Sequence, residues 1–146
     1  MALDTPISRA GPHAALVLTL LTLAACQSAP RSTFGYMQEV RSGRMEVAGD
    51  YNTVSGDGGR SCHQQRLPTV TIVEPPRHGT LSVAAAPKPL RATGHSPFSG
   101  CHGQTFLSQV VHYRSAPGYR GDDRAVYRVR YVDGQSDTYE KLFRVR

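Results

Sequence analysis

The chain has no tryptophan, only two lysines (Lys88 and Lys141) and three cysteines in 146 residues. Past its N-terminal segment it has no apolar stripe of helical period, which excludes a helical bundle. Its longest apolar run, residues 14–23, is too short to span a bilayer, which takes about 20 apolar residues. Neither G-x-S-x-G nor H-E-x-x-H occurs, and the glycines around Gly56, Gly58 and Gly59 lack the Lys-Ser/Thr ending of a phosphate loop. No paired carboxylates at a spacing suited to general acid–base work occur either. These absences remove the common hydrolase, zinc-protease and nucleotide-binding classes, and the expectation is a protein that is not an enzyme. What the chain does have is Gly 14, Pro 10 and a net charge of +6 carried almost wholly by arginine. The glycines and prolines suit a turn-rich β-protein. The charge suits contact with anionic partners or plain solubility.

Residues 110–134 organise the rest. Ala125, Tyr127, Val129 and Tyr131 alternate with Arg128 and Arg130, the period of a strand with one buried face. A Pro-, Gly- and Asp-rich turn precedes this strand, and Asp133-Gly134 follows it as a hairpin signal. Further strands are expected at 68–74, 80–83, 106–113, 124–132 and 138–146, with one or two short ones between 34 and 51. A helix from Tyr36 to Val40 is the alternative there. Residues 52–66 and 84–103 read as loops. About seven short strands give an all-β fold, an antiparallel β-sandwich. In the last strand Tyr139, Lys141, Phe143 and Val145 share one face, and Glu140, Leu142, Arg144 and Arg146 the other.

The N-terminus reads as a secretory leader: Arg9, then the apolar run, then small residues. Leu23-Ala24-Ala25-Cys26 resembles the lipobox of bacterial lipoproteins. That resemblance implies cleavage before Cys26 and lipid on its sulfur, and several acyl chains anchor stably. Gln27 stands where an aspartate would resemble an inner-membrane retention signal, which points to the outer membrane of a bacterial cell envelope. The chain thus divides into a leader (1–25), a tether (26–33) and a domain (34–146). Arg9 and Asp4 leave together, so the charge stays at +6. An odd cysteine in an exported chain calls for a role, and lipidation supplies one. Cys62 and Cys101 then remain to form a disulfide in an oxidising compartment. Such a bridge would stabilise the fold by about 3–4 kcal/mol through chain entropy.

Pro76-Arg77-His78-Gly79-Thr80-Leu81 resembles the P-x-H-G-T-(L/V) turn of bacterial cadherin-like and immunoglobulin-like repeat domains. Tyr113, Pro117, Gly118-Tyr119, Gly121, Asp122 or Asp123, Tyr127-Arg128-Val129 and Asp133-Gly134 follow in that family's order. The resemblance covers roughly residues 69–146 and implies an immunoglobulin-like or cadherin-like sandwich used as a spacer, adhesive or binding module. The family usually occurs as tandem copies in large acidic proteins, whereas this is a single basic copy on a lipid anchor.

Three constellations could carry chemistry. Arg128, Arg130, Arg144 and Arg146 fall on one outward face if the last hairpin pairs directly, a stripe suited to the phosphates of lipid headgroups or to an anionic envelope polymer. An envelope protein is the other class of partner. Nucleic acid is not expected, because no aromatic platform accompanies the arginines. Cys62-His63 and Cys101-His102 could hold zinc or copper, the alternative to the disulfide. Cys101 beside His102 could also serve as a nucleophile, although sequence neighbours rarely reach the geometry of an activated pair. Asp122, Asp123 and Asp133 could suggest calcium, but Arg120 and Arg124 flank the first two, and hydrogen bonding to turn N–H groups explains them better. No cofactor is expected.

Overall fold

The computed structural model describes residues 31–56, 61–92 and 94–146. Among them run β1 (Arg31–Val40), β2 (Met45–Tyr51), β3 (Val54–Gly56), β4 (Cys62–Gln64), β5 (Thr69–Glu74), β6 (Gly79–Pro89), β7 (Thr105–Ser115), β8 (Gly121–Arg130) and β9 (Ser136–Val145), with a 3-10 turn at Ser99–Cys101. The leader and Cys26 lie outside the described residues. One sheet has the order β1-β9-β8-β5, the other β2-β7-β6, and β3-β4 form a small hairpin of their own. Tyr113 on β7 stacks on Phe143 of β9, with ring centroids 3.9 Å apart, so the first two sheets face each other as a sandwich. The order β2-β7-β6 facing β9-β8-β5 is that of the immunoglobulin-like sandwiches.

Alternation builds the core. Ala125, Tyr127 and Val129 of β8 and Phe143 and Val145 of β9 meet Val111 and Tyr113 of β7, with Ala48 and Val40 from β2 and β1. Burying each large apolar side chain contributes roughly 1.5–3 kcal/mol. Lys141 shares this inward row, as the alternation requires. It is half-buried, burial pulls its amine below the ordinary lysine range, and its stem passes beside Gly35.

Five sequence expectations change. The segment 36–40 belongs to a strand, not a helix. That strand pairs with β9 in parallel, with Val40 opposite Val145, so the fold is not wholly antiparallel. It also begins at Arg31, inside the stretch read as a tether. Nine strands appear among the described residues instead of about seven, because residues 54–56 and 62–64 pair within a segment read as loop. Finally, β6 runs on to Pro89, deep into the expected 84–103 connection. Its Ala and Pro residues have poor strand propensity, but β7 offers them a partner along its whole length. Pro87 and Pro89 are tolerated because β6 is an edge strand. The neighbouring inward donor, the Leu90 N–H, bonds Gln104 O at 2.8 Å, so the missing N–H groups two residues apart point away from β7.

The long pair β6–β7 does two jobs. In β7 the buried residues are Phe106, Ser108 and Val110, then Val111, Tyr113 and Ser115. Burial therefore changes face between Val110 and Val111. The second half of the strand covers the sandwich core. The first half turns its other face to a lobe made by β3–β4 and the segment around Ser99–Cys101. Asn52 Nδ2 donates to Ser108 Oγ at 3.2 Å, and the Leu107 N–H donates to Gln64 Oε1 at 2.7 Å. A Cys62–Cys101 disulfide closes the lobe, with Cα atoms 6.1 Å apart and Cys101 fully buried, a separation ordinary for such a bridge.

Tyrosines fill one end of the core. Tyr51 and Tyr127 share a hydrogen bond at 2.7 Å, and Tyr127 Oη also donates to Ala48 O at 3.4 Å, so Tyr51 is the donor to Tyr127. Tyr139 packs 4.9 Å from Tyr51 and 5.6 Å from Tyr127, centroid to centroid. A Cβ on Gly49 would lie 2.6–2.7 Å from the two hydroxyls, so only glycine fits beneath them. Burial pushes Tyr127 up to about 12 and raises Tyr51 and Tyr139 as well, from an ordinary value of 10.0. The folded pKa values exceed the unfolded ones, so their contribution is complete below pH 10 and is lost as pH rises from about 10 through 12. An alkaline titration followed by tyrosine absorbance and circular dichroism should show these three ionising together with loss of the β-signal. Full ionisation near pH 10 in a still-folded chain would contradict the packing.

Candidate functional site

The turns β5–β6 and β7–β8 meet over one carboxylate. Asp123 is 6% exposed. Its Oδ1 accepts from the N–H groups of Arg77 and Arg124 at 3.0 and 2.9 Å. Its Oδ2 accepts from the His78 N–H and from Tyr113 Oη at 3.0 and 2.9 Å. Around it the His78 ring stacks on Tyr119 at 4.2 Å, the Ala116 N–H donates to His78 O at 2.7 Å, and Tyr119 Oη donates to Asp122 O at 2.8 Å. A side chain at Gly79 would place its Cβ 2.6 Å from Arg114 O and 2.7 Å from the Tyr113 ring. A buried charge is tolerable when its lone pairs are filled in this way. The histidine, tyrosines, glycine and aspartate of the two sequence motifs are thus engaged in clamping one turn to the other. Of the two aspartates, Asp123 makes the clamp.

Asp122 faces outward and takes Arg144 in a two-pronged pair at 2.9 and 3.2 Å. This hydrogen bonding holds its carboxyl below the usual aspartate range. Asp133 accepts from the Gln135 N–H at 3.0 Å within its turn. The three aspartates read as a calcium possibility therefore serve separate local purposes. No cluster of three or more His, Cys, Asp or Glu suited to a metal occurs among the described residues.

The register of β8 and β9 decides the arginine stripe. Arg128 lies opposite Thr138 and Arg130 opposite Ser136, whereas Arg144 lies opposite Asp122. All four belong to one face, but they divide between its two ends. Arg144 pairs with Asp122 and Arg146 with Glu39. Between the two ends, Arg124 bridges Glu74 on β5 and Glu140 on β9. The continuous stripe expected from alternation is thus a lattice of ion pairs, with Arg128 and Arg130, near the β8–β9 turn, in no salt bridge among the described residues. Exposed pairs of this kind contribute little each. They do consume the face's charge. Alternation marks which residues face out, but it does not reveal cross-strand acids from β1 and β5.

The disulfide gives the two sulfurs of Cys62 and Cys101 to each other, which takes both thiolates from the alternative metal set with His63 and His102 and from a Cys101 nucleophile. His102 Nδ1 lies 2.9 Å from Ala92 O, with its ring spent on the loop backbone. Comparison of the chain with family models, with curated proteins and with solved structures gives no match. The geometry of the chain itself is therefore the only guide to its site.

That geometry offers two hollows on either side of the Arg77-His78 turn. One, of about 450 Å³, lies over the outer face of the four-stranded sheet and is lined by Met37, Leu142, Arg124, Glu74 and Asp122. Arg77 lines it too, and its other charges are engaged: Glu74, Asp122 and Arg124 in ion pairs and Asp123 in the clamp. The other, of about 400 Å³, lies between the turn and the end of β7, where Arg77 and Arg114 flank Thr80, Ala116 and Pro117. No carboxylate lines it. A third hollow, of about 290 Å³, lies at the far end, between Arg66 and Arg130 beside Thr69 and Val132.

Proposed function

We propose that this chain is a non-enzymatic module of the bacterial cell envelope, held by lipid on Cys26, which presents its β-sandwich as a binding or spacer domain. One observation carries the reading: β1 starts at Arg31, close in sequence to Cys26, and begins alongside the start of β9 at the β8–β9 turn. The chain thus leaves its anchor at one end of the sandwich. The turns at 41–44, 75–78 and 116–120 close the opposite end and would face away from the membrane. Acyl chains on a cysteine followed by a short polar tether suit such a display. The disulfide suits an oxidising envelope. An outer-membrane position follows from Gln27, and the partners that fit are anionic polymers, headgroups or an envelope protein. The test is the intact mass of the protein recovered from membranes. The expected form begins at Cys26, carries acyl mass and gains two protons on reduction, and Cys26→Ser moves the protein to the soluble fraction. A membrane-recovered chain without acyl mass would remove the anchor.

A further inference from the structure

We infer that the end of the sandwich formed by the turns at 41–44, 75–78 and 116–120 binds a phosphate-bearing polysaccharide, with Arg77 and Arg114 holding the phosphate. The three turns read R-S-G-R, P-P-R-H and A-P-G-Y-R, and none contains an acid. They are distant in sequence but tied together. The Gly43 N–H donates to Ser115 Oγ at 2.9 Å, and the Ala116 N–H donates to His78 O at 2.7 Å. Arg41, Arg44, Arg77, Arg114 and Arg120 are thereby gathered at one end, and each is exposed. None of the five takes part in the molecule's salt bridges among the described residues; those engage Arg124, Arg144 and Arg146. The nearby acids Glu39, Glu74 and Asp122 are occupied by those same three arginines, and Asp123 is filled by four donors. Glu46, two residues past Arg44 at the start of β2, stands outside those pairs, but five arginines outnumber it, so the end keeps an excess of positive charge, and a cleft with one dominant sign of charge raises the local concentration of the opposite sign.

The hollow gives this charge a shape. It is about 400 Å³, a volume suited to one sugar-sized unit, and it is lined by Arg77 and Arg114 together with Thr80, Ala116 and Pro117. Two arginines lining one hollow favour a compact oxyanion such as phosphate, whose oxygens a guanidinium can take through two N–H groups, over a diffuse charge. Nucleic acid fits less well, because the one aromatic ring of these turns, Tyr119, is already stacked against His78 and offers no platform for bases.

The inference rests on the binding-module reading but not on the lipid, so absence of acyl mass would leave it standing and failure of polymer binding would leave the anchor standing. The test uses the full chain recovered from membranes in detergent. The probes are a phosphomannan, the same mannan with its phosphates removed, and single-stranded DNA. The expected result is salt-sensitive binding of phosphomannan, little binding of neutral mannan, and weaker binding of DNA. Arg77→Gln with Arg114→Gln should weaken phosphomannan binding roughly tenfold or more, Arg41→Gln with Arg44→Gln several-fold, and Arg128→Gln with Arg130→Gln not at all. These exposed changes leave the core untouched, and an unchanged melting curve verifies that. Equal binding of the neutral mannan, DNA bound as tightly as phosphomannan, or an Arg77/Arg114 double variant that binds like the parent would each overturn the inference.

Discussion

Asp123→Ala is expected to lower the free energy of unfolding by about 4 kcal/mol, more than any other single polar substitution in the domain. The alanine would leave three backbone donors and the Tyr113 hydroxyl without an acceptor in a site that is 6% exposed. Each orphaned donor costs roughly 1–3 kcal/mol when water cannot reach it. Partial opening of the two turns would relieve some of that cost, which keeps the total below the simple sum. Urea unfolding under oxidising conditions measures the change. The exposed neighbour supplies the contrast: Asp122→Ala removes only a surface pair with Arg144 and should cost less than about 1 kcal/mol. Equal effects at the two positions would contradict the clamp.

Replacing Cys62 and Cys101 by serine is expected to cost about 3–4 kcal/mol, the chain-entropy value for a closed loop of this length. The sequence separation of 39 sets the loop, while the structure predicts where the damage concentrates. The lobe of β3–β4 and the Ser99–Cys101 turn covers only the first half of β7, where Phe106, Ser108 and Val110 are buried. Hydrogen exchange should therefore accelerate strongly at residues 105–110 and in the lobe, and much less at 111–115, which belong to the sandwich core. A uniform loss of protection along β7 would show that the lobe and the sandwich are one cooperative unit. Reduction of the wild-type protein should reproduce the same pattern.

The legible parts of this fold are those with local signals. Tyr127, Val129, Phe143 and Val145 were placed in the core by alternation alone, and all four are buried. Asp133-Gly134 marked a real turn between β8 and β9. The face shared by Glu140, Leu142, Arg144 and Arg146 followed from the same period. Less was legible where pairing overrides propensity. Nothing in Ala84-Ala85-Ala86-Pro87 marks a strand, and it becomes one because β7 is there to receive it. The parallel pairing of β1 with β9 joins residues more than a hundred positions apart, a separation that local pattern cannot express. The basic end was missed for the same reason. Its arginines lie in three short turns, each unremarkable alone, and the available signal was that none of the three contains an acid.

By itself the sequence determined the all-β class, the alternating core of the last two strands, the spare pair of cysteines and the excess of arginine, because each of these is carried by residue type and short-range order. The tertiary structure decided which charges survive. It brought Glu39, Glu74, Glu140 and Asp122 across neighbouring strands to Arg146, Arg124 and Arg144, and so neutralised part of the face that alternation had marked as basic. It also drew three acid-free turns together at one end through the Ser115 and His78 hydrogen bonds. The physical reason is the range of the interaction: a strand's period depends on its own residues, whereas the net field at a surface depends on which distant residues the fold makes neighbours.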